Sequence, residues 1–265
     1  MKLSFSTIGC PGWTFDEIVS VAKDAGFDGI EIRGIANELY APHCSVFSKE
    51  NINTSKERLQ NLRIDIPIIT TGAVLGDAAV SEKGMNEAKD CILLAQKLNS
   101  PYIRVMSVSV PEPAEMDFDL CVRNMRELCE FSADKNVTPL IETNGNLAKS
   151  EEMLRFISEV SVENIGILWD IHHPFRYFGE KPADTVYALG KYIKHVHIKD
   201  SVKENKVEYR MAGYGDVPIE DVVLNLKNIG YNGFLSLEWV KLWNPDLEEP
   251  GIVFLHYKSF MDSII

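Results

Sequence analysis

The feature that most restricts the fold of this chain is an eightfold alternation of two hydrophobic periods. The run "KLSFSTIG" (2–9) reads as a strand, and "TFDEIVSVAKDAG" (14–26) carries apolar residues at helical spacing, with Thr14 as N-cap and Gly26 as stop. The pair then recurs. Strand patterns occupy 29–34, 66–73, 102–108, 138–144, 165–171, 193–200 and 234–240, and helical patterns occupy 48–64, 81–99, 118–136, 150–160, 182–192, 219–229 and 251–264. Short apolar strands alternating with amphipathic helices imply a parallel sheet with right-handed crossovers. Eight such units in 265 residues predict an α/β fold, a single closed (β/α)8 barrel spanning 1–265 as one domain. An open sheet built for a dinucleotide would place GxGxxG after the first strand, where this chain has "GCPGW" (9–13). No Pro/Ser-rich linker divides the chain.

Four of the strand patterns carry titratable groups that a buried strand would ordinarily avoid: "PLIETNG" (139–145), "LWDIHHP" (168–174), "HVHIKD" (195–200) and "FLSLEWV" (234–240). A buried charge is costly unless it is paired or bound to a metal. In a (β/α)8 barrel the reacting groups sit at the C-terminal ends of the strands. Glu142 and Asp170 end the fifth and sixth strands, and His197 and Glu238 lie near the ends of the seventh and eighth. Three carboxylates converging on one half of the barrel mouth repel one another. A divalent cation removes that repulsion, with His197 as a neutral fourth ligand. Such an oxygen-rich set, lacking thiolates, suits Mn²⁺ or Mg²⁺, with Co²⁺ and Zn²⁺ as alternatives.

Charge and cysteines narrow the function classes. The net charge is -12, and the basic residues are scattered, so nucleic acid and anionic membrane are not expected partners. Five cysteines, odd in number and without a CxxC, fit a reduced, cytoplasmic chain. The start "MKLSFSTIGC" reads as the first strand rather than an export signal, and no run of about 18 apolar residues is present to span a membrane.

The stretches "GFDGIEIRG", "IETNG", "WDIHHP", "HVHIKD", "GYGDVP" and "SLEWVKLWNPDLEEPG", in this order, resemble the sugar phosphate isomerase/epimerase family of the xylose-isomerase-like barrel superfamily. The resemblance covers essentially the whole chain. It implies that Glu142, Asp170, His197 and Glu238 hold one metal ion, and that Glu142 and Glu238 also flank the substrate carbon as proton-transfer groups. The expected activity is isomerisation or epimerisation of a small sugar, sugar phosphate or polyol-derived ketone through a metal-stabilised enediolate. A dehydratase of a keto-polyol would use the same first step. A non-catalytic sugar-binding barrel is disfavoured by the intact glutamates. Abasic-site endonucleases of the superfamily share the Asp-x-x-His pattern of Asp170 and His173. They also carry an Asp-x-His pair shortly after strand seven, where this chain has "EYRMAGYGD" (208–216).

Candidate substrate contacts are His173, Arg210, Glu31, Arg104, Lys199 and Trp13. The family pattern places an Arg such as Arg210 over the substrate, with Gly213 and Gly215 letting that turn pack close to a ligand. Glu31 and Arg33 end the second strand, either pairing with each other or binding hydroxyls. Trp13 and Trp243 either wall the pocket or pack. His195 is expected deeper in the core, and Asp200 is expected to bond its own loop. The expected partner is a small-molecule sugar, and a homo-oligomer is compatible with the fold.

Overall fold

The computed structural model describes residues 1–265. Eight parallel strands form the barrel: β1 (Lys2–Ser6), β2 (Gly29–Glu31), β3 (Ile69–Val74), β4 (Tyr102–Met106), β5 (Thr138–Glu142), β6 (Gly166–Asp170), β7 (Ile193–Ile198) and β10 (Phe234–Leu237). Between the last two lies an antiparallel hairpin of β8 (Asp200–Lys203) and β9 (Val207–Arg210). The sheet order is β2-β1-β10-β7-β6-β5-β4-β3. Backbone bonds join the two end strands: Ile30 N donates to Asp65 O (2.9 Å), Ile32 N to Ile68 O (3.2 Å) and Thr70 N to Ile32 O (2.8 Å). The barrel is therefore closed, as the eight sequence repeats require.

The helices are α1 (Phe15–Ala25), α2 (Ile52–Leu62), α3 (Ser81–Leu98), α4 (Phe118–Ser132), α5 (Ser150–Val160), α6 (His172–Phe178), α7 (Pro182–Leu189), α8 (Ile219–Asn228) and α9 (Pro250–Ile264). Helix α1 shows how local sequence sets such an element. The Thr14 hydroxyl accepts from Glu17 N, and the Glu17 carboxylate accepts from Thr14 N (2.7 Å), a reciprocal cap worth about 0.5–2 kcal/mol. Phe15, Ile18, Val19 and Ala22 turn one face onto the barrel, and Gly26 ends the helix at φ 77°, a left-handed angle that favours glycine. Helix α2 starts later than its pattern predicts, after a short 3-10 turn at Ser45–Phe47. Helix α6 was not predicted. Its seven residues, with Pro174 in the first turn, are too few to display a period.

Strand alternation decides where polar groups end up. Residues such as Leu235, Leu237, Val196 and Ile198 join a 63-residue apolar core beneath the helices. The opposite parity faces the barrel interior. There Ile68, Leu140 and Leu168 make a separate small cluster, with Tyr102 packed against it. Two residues further along the same strands, about 6.6 Å higher, stand Thr70, Glu142, Asp170 and Arg104. An apolar plug thus underlies a polar layer at the strands' C-terminal ends. No helix is long and apolar enough to cross a membrane.

Candidate metal centre and its cavity

Glu142, Asp170, His197 and Glu238 come together: one donor atom from each lies within 4.8 Å of all the others. His197 Nδ1 is 3.4 Å from Glu238 Oε1, 3.7 Å from Glu142 Oε1 and 4.0 Å from Asp170 Oδ2. Asp170 and His197 are fully buried; Asp170 Oδ2 is met by the Lys199 ammonium (2.7 Å), and His197 Nδ1 has no hydrogen-bond partner. Unpaired buried donors and acceptors are rare in native structures and call for a bound group.

The far side of His197 explains the orientation of its ring. Its Nε2 lies 3.2 and 3.1 Å from the two oxygens of Glu31, and His195 Nε2 lies 3.0 Å from Glu31 Oε2. A carboxylate accepting from Nε2–H leaves the Nδ1 lone pair facing the three carboxylates, the arrangement that metal-binding histidines use. Burial alone would raise the Glu31 carboxyl, but His197 and His195 hold it well below its ordinary range. The donor set therefore fits a divalent ion: three acidic oxygens, one oriented imidazole nitrogen and an acidic residue behind it.

Without an ion, protons and cations balance the cluster. Lys199 Nζ stands 2.7 Å from Asp170 Oδ2 and 2.6 Å from Glu238 Oε2, and Arg104 Nε is 3.2 Å from Glu142 Oε2. Burial pushes Glu142 upward, yet Arg104 and His197 outweigh it and bring the carboxyl down to about 2. Asp170 is lowered as well, against burial, by His173 and Lys199. His197 and Lys199 are raised well above their ordinary values by the surrounding carboxylates, again against burial.

A cavity of about 400 Å³ opens above the cluster. Glu142 and Glu238 line it, while Asp170 and His197 lie beneath. Arg104, Lys199 and His173, three of the candidate contacts, also line it, and Trp243 forms part of its wall. His173 is positioned by Nδ1 against Thr143 O (2.9 Å), which turns Nε2 toward Lys199 Nζ (3.3 Å). Arg33, weighed above as a hydroxyl contact, also lines the cavity, as do Asn144 and Tyr209, which were not among the candidates. Tyr209 arrives on the β8–β9 hairpin, which no strand pattern revealed. His172 has no part in it: burial and Lys199 push its imidazole down to about 2, and its Nε2 meets Ser201 Oγ at 2.9 Å.

Three candidate contacts lie elsewhere. Glu31 faces neither a substrate nor Arg33, because His195 and His197 take it beneath the cluster. Arg210 stays on the hairpin, bonded to Glu208 (2.7 Å) and Tyr209 O (3.0 Å), and does not reach the cavity. The turn after it packs on Asp200 rather than on a ligand. Gly213, Gly215 and Val217 all donate backbone N–H groups to that carboxylate, and a Cβ at Gly215 would sit 2.0 Å from Asp200 Oδ1. Trp13 packs edge-on against Phe254 (5.7 Å) in the outer core.

Comparison with known proteins agrees with this architecture. A family model described as "Xylose isomerase-like TIM barrel" matches residues 19–252. A fructoselysine 3-epimerase of Shigella flexneri is 24% identical over 264 residues, covering 95% of this chain and 94% of that one. A 3-dehydroshikimate dehydratase of Bacillus anthracis is 27% identical over 260 residues, covering 90% and 91%. A crystal structure of the IOLI protein with a bound zinc atom superposes with a TM-score of 0.80 at 18% identity, covering 100% and 98%. The relatives are thus epimerases and dehydratases, and the structural likeness extends the agreement in fold.

Proposed function

The chain belongs to the xylose isomerase-like TIM barrel family, and within it we propose a divalent-metal-dependent epimerase or isomerase of a small keto-sugar or related polyol ketone. One observation carries this reading. Of the four clustered residues, only the two glutamates reach the cavity, while Asp170 and His197 are buried below them. The deeper pair suits anchorage, and the pair lining the cavity suits proton transfer to something lying in it.

Glu142, Asp170, His197 and Glu238 would hold the ion. Mn²⁺ or Mg²⁺ suits the oxygen donors, and Zn²⁺ or Co²⁺ is the alternative. When bound, the ion supplies Lewis-acid polarisation of a substrate carbonyl and its neighbouring hydroxyl. The chain's own residues do the rest. Either glutamate can take the proton from the carbon beside the carbonyl. The strands that carry them, β5 and β10, are separated by β6 and β7, so they approach a substrate from different walls. The second glutamate returns a proton to the opposite face of the same carbon in an epimerase. In an isomerase the proton returns to the adjacent carbon. Arg104 and Lys199 orient substrate oxygens from the remaining walls.

The test is proton exchange in D₂O with Mn²⁺-loaded protein on keto-sugars. Glu142→Gln and Glu238→Gln should each lower turnover at least about a hundredfold, within the ~10²–10⁴-fold typical of acid–base groups. Wild-type turnover in both metal-loaded variants would refute the mechanism. A second reading, loss of water from a keto-polyol, is favoured by Lys199. Its ammonium lies 2.6 Å from Glu238 Oε2 and lines the same cavity, where it can hydrogen-bond a departing hydroxyl. A product lighter by one water would select that reading.

A further inference from the structure

The foot of the barrel holds a hollow of about 540 Å³, larger than the cavity above the cluster. Lys2, Tyr102 and Phe234, which line it, are the first residues of β1, β4 and β10, so it opens at the end opposite the candidate metal centre. Residues at that end of a (β/α)8 barrel ordinarily serve packing. The inner layer there is apolar on one side, where Leu140 and Leu168 belong to the plug, but His195 sits in register with Leu168 and brings a polar ring into it. That residue is fully buried and lines the hollow. Its Nε2 is held by Glu31 (3.0 Å), and its Nδ1 has no partner. A buried ring nitrogen without a partner calls for a bound group.

The chemistry of the walls specifies that group. Nε2 faces a carboxylate and so carries the hydrogen, which leaves Nδ1 of the neutral ring as an acceptor. It needs a donor, and a hydroxyl is the simplest one. The wall is also cationic, in a chain whose net charge is -12. Of its three lysines, Lys2 is bound by Asp65 (2.7 Å), the one carboxylate in the wall. Lys56 donates only to a carbonyl, Lys97 O (2.5 Å), and the Lys194 ammonium has no partner. Two positive charges are therefore free to meet an anion, and Gln60 and Asn232 add amides that can bond further hydroxyls.

We propose that this hollow is a second binding site, for a small hydroxylated anion: a hydroxyl donates to His195 Nδ1, and the acidic group lies on Lys56 and Lys194. Sugar acids and sugar phosphates share this chemistry and differ in the acidic group. A neutral polyol would leave both lysines unanswered, and an anion without a hydroxyl, such as sulfate, would bring no donor to Nδ1. The site is separate from the cavity that Glu142 and Glu238 line, and it does not rest on the proposed function.

The experiment is NMR titration of ¹⁵N-labelled, Mg²⁺-loaded protein with a hexonate, a hexitol 6-phosphate, the free hexitol and sulfate. At least one of the two hydroxylated anions should shift the amides of Asn99, Asn232 and Gly233 saturably. It should also move the His195 Nδ1 resonance upfield, as a lone pair does on accepting a hydrogen bond. The tighter binder of the two tells carboxylate from phosphate. Lys56→Glu and Lys194→Glu, neither of which lines the upper cavity, should each weaken that binding at least about tenfold, the worth of one charge-assisted hydrogen bond. Binding of the free hexitol or of sulfate as tight as that of the hydroxylated anions would overturn the assignment. So would shifts confined to Asn144 and Asn244 in the upper cavity, or an Nδ1 resonance that stays unmoved. Absence of a saturable shift with any of the four compounds, the result if water alone fills the hollow, would overturn it as well.

Discussion

Lys199→Met tests how the cluster is balanced without its ion. The lysine's side chain is 4% exposed, and its ammonium stands between Asp170 (2.7 Å) and Glu238 (2.6 Å), themselves 0% and 9% exposed. Methionine keeps much of the volume and removes the charge, leaving two buried carboxylates facing each other. Breaking a buried ion pair from one side costs about 3–5 kcal/mol. At roughly 2 °C per kcal/mol for a chain of this length, the melting temperature should fall by about 6–10 °C. The loss should appear in EDTA and largely vanish in saturating Mn²⁺, because a bound divalent ion gives the same carboxylates a new cation. Scanning calorimetry of both proteins in both conditions measures it. Lys149→Met is the control: its pair with Glu151 (2.8 Å) is exposed at 45% and 77%, and its loss should stay within about 0.5 kcal/mol. An unchanged melting temperature in EDTA, or a deficit of equal size with and without Mn²⁺, would refute the reasoning.

Elemental analysis of protein reloaded with Mn²⁺ should find one ion per chain, weakened in Glu142→Gln, Asp170→Asn and His197→Ala; a stoichiometry near zero or near three would contradict the single site. Glu31→Gln should lower metal affinity about 10–100-fold in a chelator competition, since it loosens the Nε2–H bond that orients His197. Zinc-loaded protein should not cleave abasic-site DNA, and cleavage lost in Asp170→Asn would overturn the sugar reading. All five thiols are buried, and burial pushes Cys44 up to about 11 and Cys121 and Cys129 up to about 12. Iodoacetamide should therefore label none of them at neutral pH until denaturant is added, as mass spectrometry would show.

The barrel was legible because its signals are local. Each strand announces itself by a short apolar run, and each helix by a 3.6-residue period within its own window. The strands proved shorter than their patterns at the C-terminal ends: β5 stops at Glu142 and β10 at Leu237, where patterns ran to 144 and 240. There the chain leaves the ladder to build the cavity, after one last backbone bond each, from Thr143 N to Leu168 O (3.0 Å) and from Glu238 N to Ile198 O (3.0 Å). Helix α6 and the β8–β9 hairpin were missed for the opposite reason. Both are too short for a period to stand out.

The four clustered residues could be found from sequence because a strand's end is itself a local property, and closure of the barrel brings strand ends together. Partnership inside the barrel is different. Glu31 and Arg33 are two residues apart, with the same strand parity, so a local rule pairs them. In the closed barrel, inner-face neighbours come from other strands. Glu31 meets His195 and His197, separated from it by 164 and 166 residues. Arg33, just past the end of β2, rises above the polar layer into the wall of the cavity. One acidic residue therefore became the support of a candidate metal ligand, and the cation two residues on donates to Leu39 O (2.7 Å) with the Glu87 carboxylate nearby. The i, i+2 spacing that suggested a mutual pair instead separates the floor of the site, where Glu31 holds His197, from its rim, where Arg33 lines the cavity.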